Sequence, residues 1–354
     1  MLPNSNRFEP ELETIRQAQS GVSMTRRPTI KDVAAAAEVS ASTVSAVLNG
    51  TAPTSPGVRE RVAEAVAQLG YQAEAHARNL RRRRAHAVGL VIPDPANPFF
   101  IEVALGVQSK ALESGMVVVL CATDEAAELE AYCAHLLQAR YVDGLVFTSG
   151  GHRFPGELNL LGSKVPVVLA DDLFADAPYP FVGSDNRGGA QAAARLTLDH
   201  GHRRIAILAG PAEVWTAEQR LAGYLDELGS EGLAPATVVR GDYRVPSGRQ
   251  ASAAILESGA TAVLAANDLM AIGLIQTCLQ AGVRIPGDLS VVGFDDIPTA
   301  SYLAPLLSTV RQPGREIGRG AMAALLTQLA GHTPDDRLLL PTELVVRDTL
   351  GTPS

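Results

Sequence analysis

Apolar residues at helical spacing predict three short helices between Thr29 and Gly70. Thr29 is suited to cap the first helix, with Asp32 in its first turn, where a carboxylate favours the positive end of the helix. The inward stripe recurs at helical intervals and consists of Ile30, Val33, Ala34 and Ala37. A linker of three residues, Glu38-Val39-Ser40, separates this helix from the next.

The second and third helices also have clear sequence boundaries. Ser40 can cap the second helix, and Asn49-Gly50 is a stop signal at its end. Ser55 followed by Pro56 opens the third helix, and Gly70 ends it. The inward positions of these two helices are Val44, Val47, Leu48, Val58, Val62, Ala65, Val66 and Leu69. Two helices joined by a tight turn and followed by a third predict a helix-turn-helix unit.

From Ala87 onward the pattern changes to short continuous apolar runs, most of them separated by helical stretches such as 125–138. The runs cover residues 88–92, 116–122, 144–147, 165–170, 205–209, 262–265 and 289–293. This alternation predicts parallel β-sheets covered by helices on both faces. The runs are too numerous for one sheet, so the expected fold class is α/β, with a small all-α head and a two-lobed body of parallel sheets.

The composition agrees with a globular chain of two units. The 354 residues are 46% apolar, which is ample for packed cores. No run reaches the roughly 18 apolar residues of a membrane span, and the first residues lack the pattern of a secretory signal, so we expect a cytoplasmic protein without a membrane partner. Cys121, Cys133 and Cys278 sit singly in apolar stretches, without metal-type spacing, and we interpret them as small buried hydrophobes.

Charge is distributed unevenly along the chain. The net charge is −8, yet residues 24–84 carry ten Lys or Arg against five Asp or Glu, and residues 85–354 carry a balance of −12. A basic head is attracted to polyanions, whereas an acidic body resists nonspecific adhesion to them. The asymmetry therefore points to a nucleic-acid partner for the head.

The second helix of a helix-turn-helix unit presents its first turn to the DNA major groove. The exposed positions of that turn are Ala41, Ser42, Thr43, Ser45 and Ala46. A small helical domain used for protein contacts is the alternative interpretation.

The stretch EAHARNLRRRR after Tyr71 favours DNA binding. Residues 74–81 are compatible with a helix but too short to be stable alone, so we expect them to fold on contact with a partner. Leu80 has no apolar neighbours and suits a wedge between base pairs in the minor groove, while the arginines contact phosphates. A solvated linker with an incidental leucine is the alternative.

The motifs TIKDVA, the VS turn, STVS, VLNG and ARNLR, in this order, resemble the head and hinge of the lac repressor and galactose repressor family of bacterial transcriptional regulators. The resemblance runs from about residue 28 to the end of the chain. It implies a homodimer whose two heads bind a palindromic double-stranded DNA operator, with paired hinge helices that insert Leu80 at its centre.

The domains expected from this resemblance are a disordered extension over residues 1–27, a helix-turn-helix domain over 28–73, a hinge helix or linker over 74–86, and an effector-binding and dimerisation body over 87–354. The family's body resembles a periplasmic sugar-binding protein, in which the chain crosses between two lobes three times. We place these crossings near residues 184, 311 and 331. Candidate dimer contacts are Ala104, Leu105, Met270 and Leu274, and the C-terminal sequence lacks the leucine heptads of a tetramer.

The expected DNA-contacting residues are Thr29, Ala41, Ser42, Thr43, Ser45, Ala46, Asn49, Arg78, Asn79, Leu80 and Arg81. Family members often carry arginine where this chain has Ala46, so a phosphate or guanine contact is missing. We expect binding to depend more on the hinge, on DNA shape and on contacts of alanine with thymine methyl groups.

Ligands of open parallel sheets bind beyond the carboxyl ends of the strands, so the residues after the apolar runs are the candidates for a ligand cleft. The expected effector-binding residues are Asp94, Asn97, Phe99, Phe100, Asp171, Thr216, Arg220, Tyr243, Asn267 and Asp295. Guanidinium, amide and carboxylate groups bind vicinal hydroxyls, and an aromatic wall suits the C–H face of a sugar. The resemblance supports the same selection, since NPFF, the arginine of QRLAGY, AND and GFDD match positions where the family contacts its effector.

Structural alternatives remain open for several of these residues. Arg220 and Asp295 can form a purely structural ion pair, and Asn267 can simply cap a helix. Trp215, the only tryptophan, suits a core or surface position as well as stacking on a ligand. Purine-sensing relatives carry a basic side chain around Val214, so its absence here argues against a purine effector.

These features predict a sequence-specific transcriptional regulator, a repressor, whose operator affinity is controlled by a small molecule bound between two lobes. The alternative is a sugar-binding receptor or sugar-processing protein without a role on DNA. A transport receptor would need an export signal and no basic head. An enzyme would need a catalytic motif, but GxxxxGK[ST], HExxH and GxSxG do not occur and the seven histidines are scattered, so we expect no catalytic residues, metal or cofactor.

Overall fold

The structure is a computed structural model that describes residues 28–49, 52–71, 85–124, 126–148, 166–174, 177–212 and 214–353. These residues form two compact units, a head before residue 84 and a body after it. The predicted extension over 1–27 and the predicted hinge contacts Arg78, Asn79, Leu80 and Arg81 lie outside the described residues.

The head consists of α1 (Ile30–Ala36), α2 (Ala41–Asn49) and α3 (Pro56–Leu69). Thr29 is the N-cap of α1: its backbone N–H and its hydroxyl both donate to Asp32 Oδ2 at 2.7 Å. The backbone N–H of Thr43 donates to Ser40 Oγ at 3.0 Å, which caps α2. Both predicted caps are confirmed, and they satisfy backbone donors that the first turn of a helix leaves without partners.

The head's core is small and built from β-branched and alanine side chains. Val33, Val44 and Val62, one from each helix, are fully buried. Ala34 and Ala65 lie beside them. Because these side chains are short, the three helices approach closely, which explains the alanine-rich composition of this part of the chain.

In chain order the elements of the body are β1 (Ala87–Ile92), α4 (Pro98–Glu113), β2 (Val117–Ala122), α5 (Ala127–Gln138), β3 (Gly144–Phe147), β4 (Val167–Ala170), β5 (Phe181–Ser184), α6 (Asn186–Asp199), β6 (Ile205–Ala209), α7 (Trp215–Ser230), β7 (Val238–Arg240), α8 (Val245–Glu257), β8 (Ala262–Ala265), α9 (Asp268–Gln280), β9 (Ser290–Val292), β10 (Thr309–Arg311), α10 (Gly314–Leu329), β11 (Arg337–Leu340) and β12 (Glu343–Val345). The predicted apolar runs correspond to β1, β2, β3, β4, β6, β8 and β9. The predicted helix at 125–138 corresponds to α5.

Two parallel sheets form the two lobes of the body. The first lobe has the strand order β11-β5-β4-β3-β1-β2, and the second has the order β7-β6-β8-β9. Every pair of neighbouring strands within these two sheets is parallel. β10 and β12 pair antiparallel and form a separate two-stranded ribbon. The α/β prediction with two lobes is confirmed.

The chain passes between the lobes three times. It leaves the first sheet after Ser184, at the end of β5, and returns to the first lobe after Arg311, where α10 packs against α4 and β3 to β5. The third crossing differs from the expected position near Gly331. The strand β11 still belongs to the first sheet, where Leu338 is in register with Val182, so the chain crosses only after Leu340.

None of the described helices is long and apolar enough to span a bilayer. Cys278 is fully buried, whereas Cys121 is only partly buried. The side chain of Cys133 lies outside the described part of the chain.

Two of the four candidate dimer residues lie in the core. Met270 and Leu274 are fully buried because α9 is enclosed by α8, β8 and β9, so the prediction that they form dimer contacts is wrong. Apolar residues on all sides of α9 therefore reflect burial within one chain.

An exposed apolar face occurs instead at the edge of the first lobe. On α4, Ile101, Leu105 and Leu112 are 38%, 40% and 75% exposed, and on the edge strand β2, Leu120, which points to the same side of the sheet as α4, is 49% exposed. The α4 residues recur at helical spacing along one side of the helix, and an exposed apolar patch of this kind is a feature of protein–protein interfaces. It includes the predicted residue Leu105.

The helices α4 and α10 cross at a very short distance in the first lobe. A Cβ atom added at Gly318 would lie 2.0 Å from the carbonyl oxygen of Val103, and one added at Gly106 would lie 2.1 Å from that of Arg315. Glycine at both positions lets the two backbones pack directly against each other.

Gly318→Ala is expected to lower the free energy of unfolding by about 1–3 kcal/mol, because the new methyl group would overlap a backbone oxygen. Denaturant unfolding curves measure this change. Gly229→Ala is the matched control: it lies near the end of α7 with no atom within 4 Å of the added Cβ. It should be neutral or stabilising by up to about 1 kcal/mol, and equal unfolding midpoints for the two variants would contradict the packing argument.

Candidate effector cleft and DNA-contacting helix

All ten residues predicted to bind an effector line a single cleft between the two lobes. They are Asp94, Asn97, Phe99, Phe100, Asp171, Thr216, Arg220, Tyr243, Asn267 and Asp295. The space between the lobes, including its open mouth, is about 540 Å³. The cleft forms there because the strands of both parallel sheets end at it, and each strand end is followed by a polar loop or a helix N-terminus.

Arg220 is the central side chain of the second-lobe wall. It is 3% exposed, and its Nε donates to Asn186 Oδ1 at 2.8 Å. Its Nη1 donates to the carbonyl oxygen of Ala266 and, at 3.3 Å, to Asp295 Oδ1. The guanidinium carbon lies 4.1 Å from the centre of the Phe294 ring. Burying a charged group requires such partners, and here they come from α6, β8 and the loop after β9.

Asp295 is held by a second donor and by an unusual backbone conformation. Gln312 Nε2 donates to Asp295 Oδ1 at 2.7 Å. Burial raises the pKa of Asp295 to about 7, against the lowering effect of the Arg220 charge and the Gln312 hydrogen bond. Its φ of 114° is a left-handed value that non-glycine residues rarely adopt. The surrounding fold therefore imposes the position of this carboxyl group.

Asp171 faces Arg220 from the first lobe, directly after β4. Its Oδ1 is buried and accepts no hydrogen bond. Burial raises the pKa of Asp171 to about 6, partly offset by the charge of Arg220. A buried acceptor without a donor is costly unless a ligand or water satisfies it.

The neighbouring carboxyl group joins the two lobes. Asp172 Oδ1 accepts the backbone N–H of Thr216, in the first turn of α7, at 3.2 Å. Burial and the adjacent charge of Asp171 raise the pKa of Asp172 to about 8, and the Thr216 amide lowers it. The first lobe thus caps a helix of the second lobe at the back of the cleft.

The aromatic and amide side chains of the cleft are already fixed by the fold. Phe99 and Phe100 meet edge to face with ring centres 5.4 Å apart. Asn97 Oδ1 caps α4 by accepting the amide of Phe99 at 3.1 Å. Asn267 Oδ1 likewise caps α9, and its Nδ2 donates to the carbonyl oxygen of Tyr243 at 2.8 Å. Asn267 is therefore a helix cap as well as a cleft residue.

The cleft is also lined by four residues that the strand-end argument did not select as binding residues. They are Pro93, Val214, Asp242 and Arg244. Arg244 Nη2 donates to Asp124 Oδ1 at 2.7 Å, and its Nε lies 3.7 Å from Asp94 Oδ2. These contacts join the two lobes at the mouth. The GDYR motif after β7 was the available signal and supplied the predicted residue Tyr243, but its neighbour Arg244 was not selected because the partners of Arg244 lie far away in sequence, on the other lobe.

Trp215 does not line the cleft. Its ring packs edge to face on Phe181 with ring centres 5.4 Å apart, and the guanidinium of Arg337 lies 5.4 Å from its centre. The side chain therefore takes the packing role that the sequence left open.

On the head, α2 carries the predicted major-groove residues, of which Ala41 also packs against the head's core. Ser42 is exposed, Ala41, Thr43, Ser45 and Ala46 are partly exposed, and Val44 is fully buried. Ser40 Oγ forms hydrogen bonds with Ser42 Oγ at 2.7 Å and Thr43 Oγ1 at 2.8 Å, which orders the hydroxyl groups of the first turn. Thr29 is partly exposed at the start of α1, and Asn49 is the last residue of α2.

Asp171→Asn is expected to raise stability near neutral pH. The folded-state pKa of about 6 lies above the ordinary value of 3.8, so the native state binds more protons and stability falls as pH rises through this window. Removing the charge should therefore stabilise the protein by about 1–3 kcal/mol at a pH of about 8, and by much less at a pH of about 4.

Thermal unfolding at both pH values measures this effect. Asp226→Asn, which changes an exposed carboxylate paired with Arg187 outside the cleft, is the control and should have little effect at either pH. An Asp171→Asn variant that is no more stable than wild type at high pH would contradict the buried-charge argument.

Comparisons with known proteins agree with this architecture. A family model described as bacterial regulatory proteins of the lacI family matches residues 29–74, and a periplasmic binding protein-like domain model matches residues 194–350. The chain is 37% identical to the ribose operon repressor of Halalkalibacterium halodurans, over 91% of this chain and 96% of that protein. It is 32% identical to the transcriptional repressor CytR of Escherichia coli, over 90% of this chain and 95% of that protein.

Solved structures extend the similarity to the whole architecture. The lac repressor dimer bound to operator and the anti-inducer ONPF matches with a TM-score of 0.83 and 30% identity, over 92% of this chain and 100% of that one. The transcriptional regulator CelR in complex with cellobiose matches with a TM-score of 0.70 and 33% identity, over 91% and 100% of the two chains. At these identities over nearly its whole length, the chain belongs to the lacI family of bacterial regulatory proteins and is a DNA-binding transcriptional regulator.

Proposed function

We propose that this protein is a cytoplasmic homodimeric repressor whose affinity for a palindromic operator is set by a sugar bound in the cleft between its lobes. The observation that carries this proposal is the convergence of ten polar and aromatic residues on one interlobe cleft in a chain that also bears a helix-turn-helix head. The proposal includes no catalytic role, cofactor or metal.

For the DNA contacts, α2 is the element that enters the major groove. Its exposed first turn offers the hydroxyl groups of Ser42, Thr43 and Ser45, together with the methyl groups of Ala41 and Ala46. Hydroxyls bond to phosphates or base edges, and alanine contacts thymine methyl groups. These side chains are short, so the proposal assigns much of the affinity to Arg78, Asn79, Leu80 and Arg81, with Leu80 as a minor-groove wedge.

For the effector, the chemistry of the cleft suits a sugar. Asp171 supplies a buried acceptor that lacks a donor, and the Phe99 and Phe100 rings supply an apolar wall. Two similar proteins also support a sugar as the effector: one is a ribose operon repressor, and the other is a regulator solved in complex with cellobiose.

Coupling between cleft and DNA follows from the contacts that cross between the lobes. The Asp172–Thr216 and Arg244–Asp124 hydrogen bonds hold the lobes in one relative orientation. A ligand that adds to or displaces such contacts favours one orientation over another, and the orientation sets the spacing of the two hinges in the dimer. A coupling free energy of about 1–3 kcal/mol corresponds to a change in operator affinity of roughly 5- to 150-fold. Release by the sugar is the expected direction, with co-repression as the alternative.

For the dimer, the exposed apolar face on α4 and β2 is the proposed contact in the first lobe. It contains Leu105, Ile101 and Leu120 among its exposed side chains. A two-fold dimer formed through this face would supply the two heads that a two-fold operator requires.

The direct test is selection of bound fragments from random double-stranded DNA, followed by a sugar panel that scores loss of the selected complex. The proposal expects a palindromic site and a sugar that changes affinity for it by at least about fivefold. A sugar that binds the cleft with no effect on operator affinity would contradict the coupling, and failure to select any site would contradict the DNA-binding role.

Ala46→Arg is expected to increase operator affinity and to alter base preference next to position 46, because arginine on α2 can reach a phosphate or guanine. Ala67→Arg is the matched control, since it adds the same charge at an exposed position of α3. Binding titrations at two salt concentrations measure both variants. If the two variants behave alike, the gain comes from charge alone and position 46 does not face the groove.

A further inference from the structure

We infer that the cleft accepts an uncharged, polyhydroxylated ligand and excludes phosphorylated sugars. This inference rests on the proposed function and specifies the chemical class of the effector. It is carried by the charges that line the cleft, by the partners of its two guanidinium groups and by the caps on the helices that begin there.

Carboxyl groups outnumber cationic groups among the described side chains that line the cleft. The carboxyl groups are those of Asp94, Asp171, Asp242 and Asp295, and the cationic groups are those of Arg220 and Arg244. Asp172 lies next to Asp171 and adds another carboxyl group nearby. A ligand with a phosphate dianion would face like charges in a site with limited screening, which is strongly unfavourable.

Arg220 cannot turn toward a phosphate without losing its own partners. Its Nε donates to Asn186, and its Nη1 donates to both Ala266 and Asp295. The flat face of the guanidinium lies on the Phe294 ring. Its remaining donor capacity suits a neutral hydroxyl group, and a phosphate would have to displace the Asp295 carboxyl group.

Arg244 is likewise engaged, at the mouth of the cleft. It bonds to Asp124 and lies close to Asp94, both on the first lobe. Recruiting Arg244 to a phosphate would break contacts that hold the two lobes together. The arginine therefore neutralises carboxylates at the entrance and leaves the net charge of the cleft negative.

Helix N-termini are the usual alternative site for phosphate, because their first backbone amides lack partners. Four helices begin at residues that line the cleft. The helix α8, which follows Arg244, has no side-chain cap, whereas α4, α7 and α9 each have a side chain on one of those amides. Asn97 accepts the amide of Phe99 at 3.1 Å, Asp172 accepts that of Thr216 at 3.2 Å, and Asn267 accepts that of Met270 at 3.0 Å. The cap on α7 is itself a carboxyl group, whose oxygen takes an amide that a phosphate would otherwise bind.

Hydroxyl groups have a complementary partner in the same place. Asp171 Oδ1 is a buried acceptor without a donor, and only a ligand or water that donates a hydrogen bond can satisfy it. A phosphate group placed beside Asp171 would bring acceptors and no donor at neutral pH, so it does not meet this requirement. A hydroxyl group of a sugar or nucleoside does, and this position of the cleft therefore selects for hydroxyl groups.

The test is isothermal titration calorimetry on the full-length protein with matched pairs: D-ribose and D-ribose 5-phosphate, D-glucose and D-glucose 6-phosphate, and D-fructose and D-fructose 6-phosphate. Any parent sugar that binds is expected to bind at least about tenfold more tightly than its phosphate ester, because like charges oppose the ester. A phosphate ester that binds more tightly than its parent and changes operator affinity would overturn this inference and leave the proposed function standing. If no member of either set binds, the proposed sugar effector and this inference both fail.

Asp172→Asn provides a second readout. At a pH of about 9, above the pKa of about 8 of this carboxyl group, the variant removes a negative charge but keeps an oxygen that can cap α7, so the preference for the parent sugar over its phosphate should shrink severalfold. Asp226→Asn, outside the cleft, should leave that preference unchanged. An unchanged preference in Asp172→Asn would contradict the assignment of charge exclusion to the cap on α7.

Discussion

The buried guanidinium of Arg220 is the interaction on which the cleft depends. A charged group at 3% exposure is stable only when its donors are satisfied, and the satisfying groups come from three separate elements. Asn186 begins α6, Ala266 follows β8, and Asp295 follows β9. One side chain thereby fixes the ends of the second lobe's strands relative to each other and defines the wall against which a ligand binds.

The acidic groups around Arg220 include one buried carboxylate oxygen, Asp171 Oδ1, that has no hydrogen-bond donor, and a ligand can supply that donor. Asp171 and Asp295 are buried deeply enough that their pKa values rise to about 6 and about 7. Asp171, Tyr243 and Asp295 also have φ values of 68°, 67° and 114°, which non-glycine residues adopt only when the surrounding fold imposes them. Backbone strain and unsatisfied polar groups are concentrated where ligands bind. The strained backbone and the buried carboxyl groups therefore lower the stability of the protein, and a ligand that donates to Asp171 offsets part of this cost.

Much of the fold and site could be predicted from the sequence, because both depend on local periodicity and on one rule of parallel sheets. Apolar runs of four to seven residues identified most strands, and the residues after them formed the cleft. The strand β11 was missed because RLLL follows a polar loop, and this omission displaced the third crossing from Gly331 to after Leu340. Met270 and Leu274 were misassigned because an apolar helix face has the same pattern whether it packs inside one chain or between two. Arg244 was missed because its partners, Asp94 and Asp124, are distant in sequence and belong to the other lobe.

The most direct measurement is the pKa of the Asp171 carboxyl group. Isotope-edited spectroscopy would determine it in the free protein and in the complex with the sugar that changes operator binding. The account predicts a value of about 6 in the free protein and a clearly lower one in the complex, because a ligand hydroxyl would donate to the carboxylate oxygen that has no partner. A pKa that does not change on binding would show that the ligand does not contact Asp171, and it would contradict the placement of the effector in this cleft.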